Sequence, residues 1–258
     1  MPKTRRVHLH DNGPALWPEH RKAEDSRALK EVTPAHIWDT TMQLRATSPG
    51  GAAFKREWWA NGKNRYLWTP GFFEDRCIRE WVSFDTGFET GETNAWTAGI
   101  TGSVLDTYDV AIREAERRHV GMDELPDFIR EFCLPVYQRG RLGGVIIEAK
   151  ASGISVMQTI RASSERWLAD MICPYIPIDD KPTRYRNGAV WAKLGYLKFP
   201  FPCQECPWLY AYSQEIYDAP NSRFLDWTDA TAQLIDFLVP SVFEVAQAAR
   251  EAAQRIPR

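Results

Sequence analysis

The chain has 258 residues, 44% of them hydrophobic and 26% charged, with a formal net charge of −2. That suits a soluble globular protein of one large domain, or one domain with an extension. It excludes a basic nucleic-acid coat, although an active-site face can be locally basic on a neutral protein. No apolar run approaches the length of a membrane span, and the first residues lack the apolar core of a secretion signal. Five scattered cysteines (Cys77, Cys133, Cys173, Cys203 and Cys206) point to a reducing cytoplasm. Eleven tryptophans imply well-packed cores or flat contact surfaces.

Residues 1–70 are polar and broken by Pro14, Pro18, Pro34, Pro49 and Gly50-Gly51. They read as a linker-like, irregular helical extension, with helices over 20–31 and near 34–45 and no strong strand pattern. The main domain is expected over 71–258. IREWVSFD (78–85) has β-type content and ends in Asp85; TGFETGET (86–93) is turn material; NAWTAGITG (94–102) is a second strand. LDTYDVAIREAE (105–116) holds a third, with a tail that would also suit a helix. Three strands with short links make an antiparallel meander.

The period then changes. Leu125, Phe128, Ile129, Phe132, Cys133 and Val136 recur at helical spacing, so a helix over about 123–138 turns one apolar stripe to a core. Pro126 suits its first turn, Asp123 is a candidate N-cap, Pro135 is a place for a bend and Gly140 ends it. GGVIIEA (143–149) is a short, fully apolar strand of the kind found inside a parallel sheet. Helices are expected over 154–169, 182–194 and 207–217, with a strand over 172–178. A last helix starts near Asp226 and runs past Pro240 to about 255.

The order β-β-β-α-β-α-β-α, with right-handed crossovers adding the later strands parallel to the first, is that of an α/β ribonuclease H-like fold. In it a mixed central sheet, the meander plus parallel strands, is flanked by helices, and the first and fourth strands lie side by side. Their backbones would be about 4.8 Å apart. Asp85 and Glu148 then project from the same end of the sheet, and Asp226 and Asp229, three apart, share a face at the start of the last helix.

Converging carboxylates repel one another unless cations sit between them. Oxygen-only ligands favour Mg²⁺ or Mn²⁺, and two such ions about 3.5–4 Å apart clamp the attacking water and leaving oxygen of a phosphodiester. Each acid alone also has an ordinary role. A strand-end Asp is usually solvated, Asp226 would serve as an N-cap, and Asp229 would complement the helix dipole.

Several motifs then resemble the nuclease half of the large terminase subunit of tailed double-stranded DNA phages. IIEAKASGISVMQTIR (146–161) is similar to that family's IIE-x-K-A-S-G-x-S-x-x-Q-x-L segment, and VSFDTGFETGETNAWTAGI (82–100) to its first two strands. DDKPTRYRNGAVWAKLGYLKFP (179–200) resembles the D-K-x-x-R segment with its helix and following strand. CPWLYAYSQEIYDAP (206–220) resembles the W-L-x-x-x-x-x-E-L-x-x-F-P helix, and LDWTDATAQ (225–233) the D-D-x-x-D-A motif. LWPEH (16–20) and FKREWW (54–59) look like the segment joining the packaging ATPase to the nuclease.

The resemblance implies a Mg²⁺- or Mn²⁺-dependent DNA endonuclease with Asp85, Glu148 and Asp226 as metal ligands and Asp229 as an accessory acid. Lys181 and Arg184 are candidates for phosphate contact and would otherwise be solvated charges; Lys150 is a candidate if a turn begins there, and points to the opposite face if the strand continues. Leu225, Ala149 and Ala95 stand where the family often carries further acids or Asp. No G-x-x-x-x-G-K-[ST] stretch occurs, so the packaging ATPase is expected on a separate or missing piece. The implied partners are double-stranded DNA, that ATPase, the small terminase subunit and the portal, in the host cytoplasm. Two other readings use the same fold: a non-catalytic assembly module and a resolvase-type nuclease. Cys203-x-x-Cys206 has no partner pair, so a zinc site is not expected.

Overall fold

The computed structural model describes residues 52–60, 62–87 and 96–238. The helices expected over 20–31 and 34–45, most of the turn over 86–93, and the last helix beyond 238 lie outside them. Seven strands among the described residues form one mixed sheet: β1 (Arg65–Tyr66), β2 (Cys77–Thr86), β3 (Trp96–Leu105), β4 (Val110–His119), β5 (Leu142–Glu148), β6 (Ile172–Tyr175) and β7 (Leu197–Pro200). Their order across the sheet is β1-β7-β4-β3-β2-β5-β6. β2, β3 and β4 pair antiparallel as the expected meander. β5 joins β2 in parallel, and β6 joins β5. The expected ribonuclease H-like sheet, with its fourth strand beside its first, is what the chain forms.

The far edge was less legible. β7 pairs in parallel with β4, and the two-residue β1 extends the sheet beyond it from a segment that carries no strand pattern. Two residues are too few for any period to show. Residues before 71 also reach the core, because Phe54 and Trp59 are fully buried and Trp59 stacks on Phe199.

Seven α-helices among the described residues flank the sheet: α1 (Pro70–Arg76), α2 (Leu125–Gln138), α3 (Ala151–Ala162), α4 (Arg166–Ala169), α5 (Lys181–Leu194), α6 (Leu209–Asp218) and α7, described over 226–238. The stripe on α2 is as expected, and its six apolar residues are all buried. Each buried side chain of that size contributes about 1.5–3 kcal/mol. The helix runs on through Pro135, and Gly140, with φ of 71°, turns the chain away from it. The single helix expected over 154–169 is two, α3 and α4, and α3 begins three residues earlier than expected.

Side chains alternate across a strand, so each strand divides its residues between two faces. Val82, Phe84, Val145 and Ile147 pack with α2 and α3 on one face. Ala98, Ile100, Ala115 and Ile146 face the other, with α5, α6 and α7. By the same alternation Asp85 and Glu148 lie on the α7 side.

Helix α7 is tied to the sheet by polar groups. Ser83 Oγ donates to the Ala230 carbonyl at 2.9 Å. Gln233 Nε2 donates to Ser83 Oγ at 3.0 Å and to the Phe84 and Ile146 carbonyls at 3.2 Å each. At Gly102 a Cβ would collide with Leu234, so glycine there lets α7 sit close on β3. No helix among the described residues is long and apolar enough to cross a membrane.

Gln233 is 1% exposed, so replacing its amide with a hydrocarbon removes three buried hydrogen bonds between α7 and the sheet. Gln233→Leu is expected to lower unfolding free energy by about 2–4 kcal/mol, read as a fall in the urea midpoint with an unchanged slope.

Candidate active site

The register settles which acids meet. Phe84 pairs with Ile147 across the parallel β2–β5 ladder, so Asp85 and Glu148, one residue on, leave neighbouring strands side by side. Asp226 and Asp229 occupy the first turn of α7, which lies over the same face. The charges of Asp229, Asp226 and Glu148 all act on Asp85. The four predicted acids therefore lie on one face of the sheet, near the end where β2 and β5 finish.

Local structure holds Glu148 in place. After it the chain bends, and α3 starts at Ala151 with Lys150 as an extended N-cap residue. Ser152 Oγ donates to the Thr86 carbonyl at 2.9 Å and lies 3.0 Å from Thr86 Oγ1, which ties α3 to the residue after Asp85. A Cβ at Gly153 would run into the Glu148 carbonyl oxygen. The K-A-S-G run thus seats a helix start directly on the two acidic strand ends. Gly153→Ala must push α3 away from Glu148, and is expected to destabilise the fold by about 1–3 kcal/mol, measurable by thermal unfolding.

Basic side chains of the protein already engage three of the acids. Lys150 Nζ is 2.7 Å from Glu148 Oε1. Lys181, the first residue of α5, donates to Asp229 Oδ2 at 2.7 Å, and Tyr185 OH, one turn on, donates to Asp229 Oδ1 at 2.8 Å. Arg117 Nη1 lies 3.7 Å from Asp226 Oδ2 and 3.0 Å from Glu215 Oε2. Lys150 and Lys181 are 67% and 59% exposed, and so stand at the open side of the cluster.

Arg184 does not join them. It is 3% exposed, its guanidinium lies 6.0 Å from the Tyr175 ring, and its Nε and Nη1 have no hydrogen-bond partner among the described residues. A guanidinium enclosed in this way does not reach a DNA phosphate, and its place in the D-K-x-x-R segment gave no sign of that burial.

Burial, the negative charge of Asp229 and, more weakly, the charges of Asp226 and Glu148 push the Asp85 carboxyl up to about 8; Lys181 opposes them. Burial also raises Asp226, against the pull of Arg117. Lys181 is held above its ordinary value despite burial, by its hydrogen bond to Asp229 and by the charges of Asp229 and Asp85.

The donor set suits a hard divalent cation, being carboxylate oxygen throughout. Asp226 Oδ2 supports the fit, because it is buried without a hydrogen-bond partner among the described residues. No three His, Cys, Asp or Glu side chains among the described residues are grouped closely enough to hold an ion. Cys203 and Cys206 are free thiols.

Three participants had no local signal. Arg117 lies one residue beyond the strand expected over 105–116. Tyr185 and Glu215 sat inside quoted motifs, but nothing in the spacing showed which way they face.

The raised Asp85 pKa has a definite sign. A carboxyl near 8 in the folded chain and near 4 in the unfolded chain favours folding below about pH 4, and that contribution is lost as pH rises towards 8. In chelator, Asp85→Asn is expected to unfold several degrees above wild type at pH 8.5 and no higher than wild type near pH 4, by calorimetry.

No protein-family model matches the chain, and no curated protein does. Solved structures do. A large terminase from a thermophilic bacteriophage matches at 12% identity and a TM-score of 0.53, covering 73% of this chain and 45% of that one. The same phage protein in complex with ATP-gamma-S matches at 12% identity and a TM-score of 0.51, covering 82% and 51%. The human cytomegalovirus terminase nuclease domain is similar at 12% identity and a TM-score of 0.49, covering 67% and 88%. The chain spans about half the length of the phage terminase. At this identity the phage likeness establishes a common fold.

Proposed function

We propose that this chain is the metal-dependent DNA endonuclease of a phage genome-packaging terminase, cutting concatemeric double-stranded DNA by two-metal phosphodiester hydrolysis. The observation that carries the reading is the convergence of Asp85, Glu148, Asp226 and Asp229 on one face, at one end of adjacent parallel strands. The fold shared with a phage large terminase supports it.

Asp85, Glu148 and Asp226 would hold two divalent cations, Mg²⁺ or Mn²⁺, with Asp229 as the accessory acid. Such ions, when bound, supply Lewis acidity and lower the pKa of water. The chain's own groups orient and neutralise. Asp85 must give up its proton to serve as a ligand, which favours binding as pH rises through about 8. Tyr185 fixes the Asp229 carboxylate through one oxygen while Lys181 holds the other. Lys150 and Lys181, at the open side, are the phosphate contacts. These groups read the backbone and not the bases, so cutting is nearly independent of sequence. Selection of the cutting site then falls to partners: the packaging ATPase, the small terminase subunit and the portal, all in the host cytoplasm.

A second reading is a non-catalytic assembly module on the same fold. The pairing of Glu148, Asp229 and Asp226 with Lys150, Lys181 and Arg117 is what favours it. Supercoiled plasmid separates the two. With Mn²⁺ or Mg²⁺ the wild-type chain is expected to nick it, and chelator to stop the reaction. Asp85→Ala and Glu148→Ala should each lose more than about 100-fold, the upper range for loss of a mere supporting partner of a metal ligand. Plasmid left intact by folded wild type, or normal cutting by Glu148→Ala, would favour the assembly module.

A further inference from the structure

The first turn of α7 lacks an ordinary cap. Leu225 occupies the position where a serine or aspartate would accept a backbone N–H, and its side chain has no acceptor. Glu215, from α6, does this work instead. Its Oε1 accepts the Thr228 backbone N–H at 2.9 Å and lies 3.4 Å from Thr228 Oγ1. Its Oε2 accepts from Arg117 Nη1 at 3.0 Å. Glu215 is 5% exposed, so both of its oxygens serve this end of α7 and β4.

Arg117 is held as tightly. It leaves β4 on the α7 face, and its guanidinium lies 4.8 Å from the Trp96 ring centroid, 4.6 Å from Phe224 and 4.3 Å from Trp227. Three aromatic faces and one buried carboxylate leave it little freedom. Its Nη1 stands 3.7 Å from Asp226 Oδ2, close enough to attract the carboxylate and too far to hydrogen-bond. That oxygen is otherwise buried without a hydrogen-bond partner among the described residues. The arrangement neutralises Asp226 and fixes its direction while leaving its lone pairs available.

We infer that Arg117, anchored by Glu215 and its aromatic cage, is the positioning residue for the Asp226 carboxylate, and that divalent-cation affinity depends on it. The inference rests on the nuclease reading above. It runs against simple electrostatics, in which a fixed positive charge beside a ligand weakens cation binding and its removal tightens it. Lysine keeps the charge but has no planar face to sit among the Trp96, Phe224 and Trp227 rings, so its ammonium is not held at the point from which Arg117 Nη1 faces both Glu215 and Asp226.

The test is calorimetric titration of the full chain with Mn²⁺, comparing wild type, Arg117→Lys, Arg117→Met and Glu215→Gln, with unfolding in chelator recorded for each. Glu215→Gln keeps an acceptor for Thr228 and loses the charge that anchors Arg117, so it reports even if an Arg117 variant does not fold. The expected result is Mn²⁺ affinity about 10–100-fold weaker in each folded variant, with plasmid nicking recovered towards the wild-type rate by raising Mn²⁺. Unchanged affinity in Arg117→Lys and Glu215→Gln, or tighter binding in Arg117→Met, overturns the positioning role while leaving the nuclease reading in place. Absence of Mn²⁺ binding by the wild type overturns the nuclease reading and this inference with it.

Discussion

Beneath the acidic cluster the side-chain amide of Gln233 donates to Ser83 Oγ and to the carbonyls of Phe84 and Ile146. Phe84 immediately precedes Asp85, and Ile146 lies two residues before Glu148 on the same strand face. Asp229 and Asp226 lie four and seven residues before Gln233, on the same side of α7. One buried amide therefore fixes the helix that carries two acids against the two strands that carry the others. Three acceptors in an enclosed site specify one position along the helix, because a slip by one residue would break all three hydrogen bonds and leave the buried amide without them.

That constraint forces like charges together, and the surrounding residues answer it. Lys150, Lys181 and Arg117 each approach one carboxylate. Asp85 has no such ion pair among the described residues and shares Lys181 with Asp229, so burial and the repulsion together are expressed on Asp85, whose carboxyl rises to about 8. Two of the three cations are on long, exposed lysines that can swing away. The third is Arg117, confined between rings and bound to a buried glutamate. The cluster thus combines movable charges on its open side with a fixed one at its back. A fixed cation preserves geometry, and movable ones allow an incoming cation or phosphate to take their place.

Periodicity made much of this legible. The α2 stripe, the apolar run of β5 and the meander follow from spacing alone, because apolar residues repeat wherever one face of an element is buried. The pairing of β5 with β2 follows from the handedness of crossovers, and with it the meeting of Asp85 and Glu148. Arg184 shows where such reasoning stops. Its place after Lys181 in a helix start suggested a phosphate contact, whereas the helix rotates it under Tyr175 and into the core. Lys181, three residues earlier, faces the acids. Nothing local distinguishes the two, since which side of α5 packs inward depends on α7 and β6.

The sequence by itself determined the layered fold, the four acids and their common end of the sheet, because these depend on apolar period, turn residues and chain connectivity. Tertiary structure alone decided what surrounds the acids. Glu215 caps a helix that begins eleven residues after it, Arg117 reaches Asp226 from a strand more than a hundred residues away, and Gln233 binds two strands at once. Polar groups that find partners across such distances leave no repeat in the chain. Their roles are set by direction and distance in space, which become defined only when the sheet and its helices have packed.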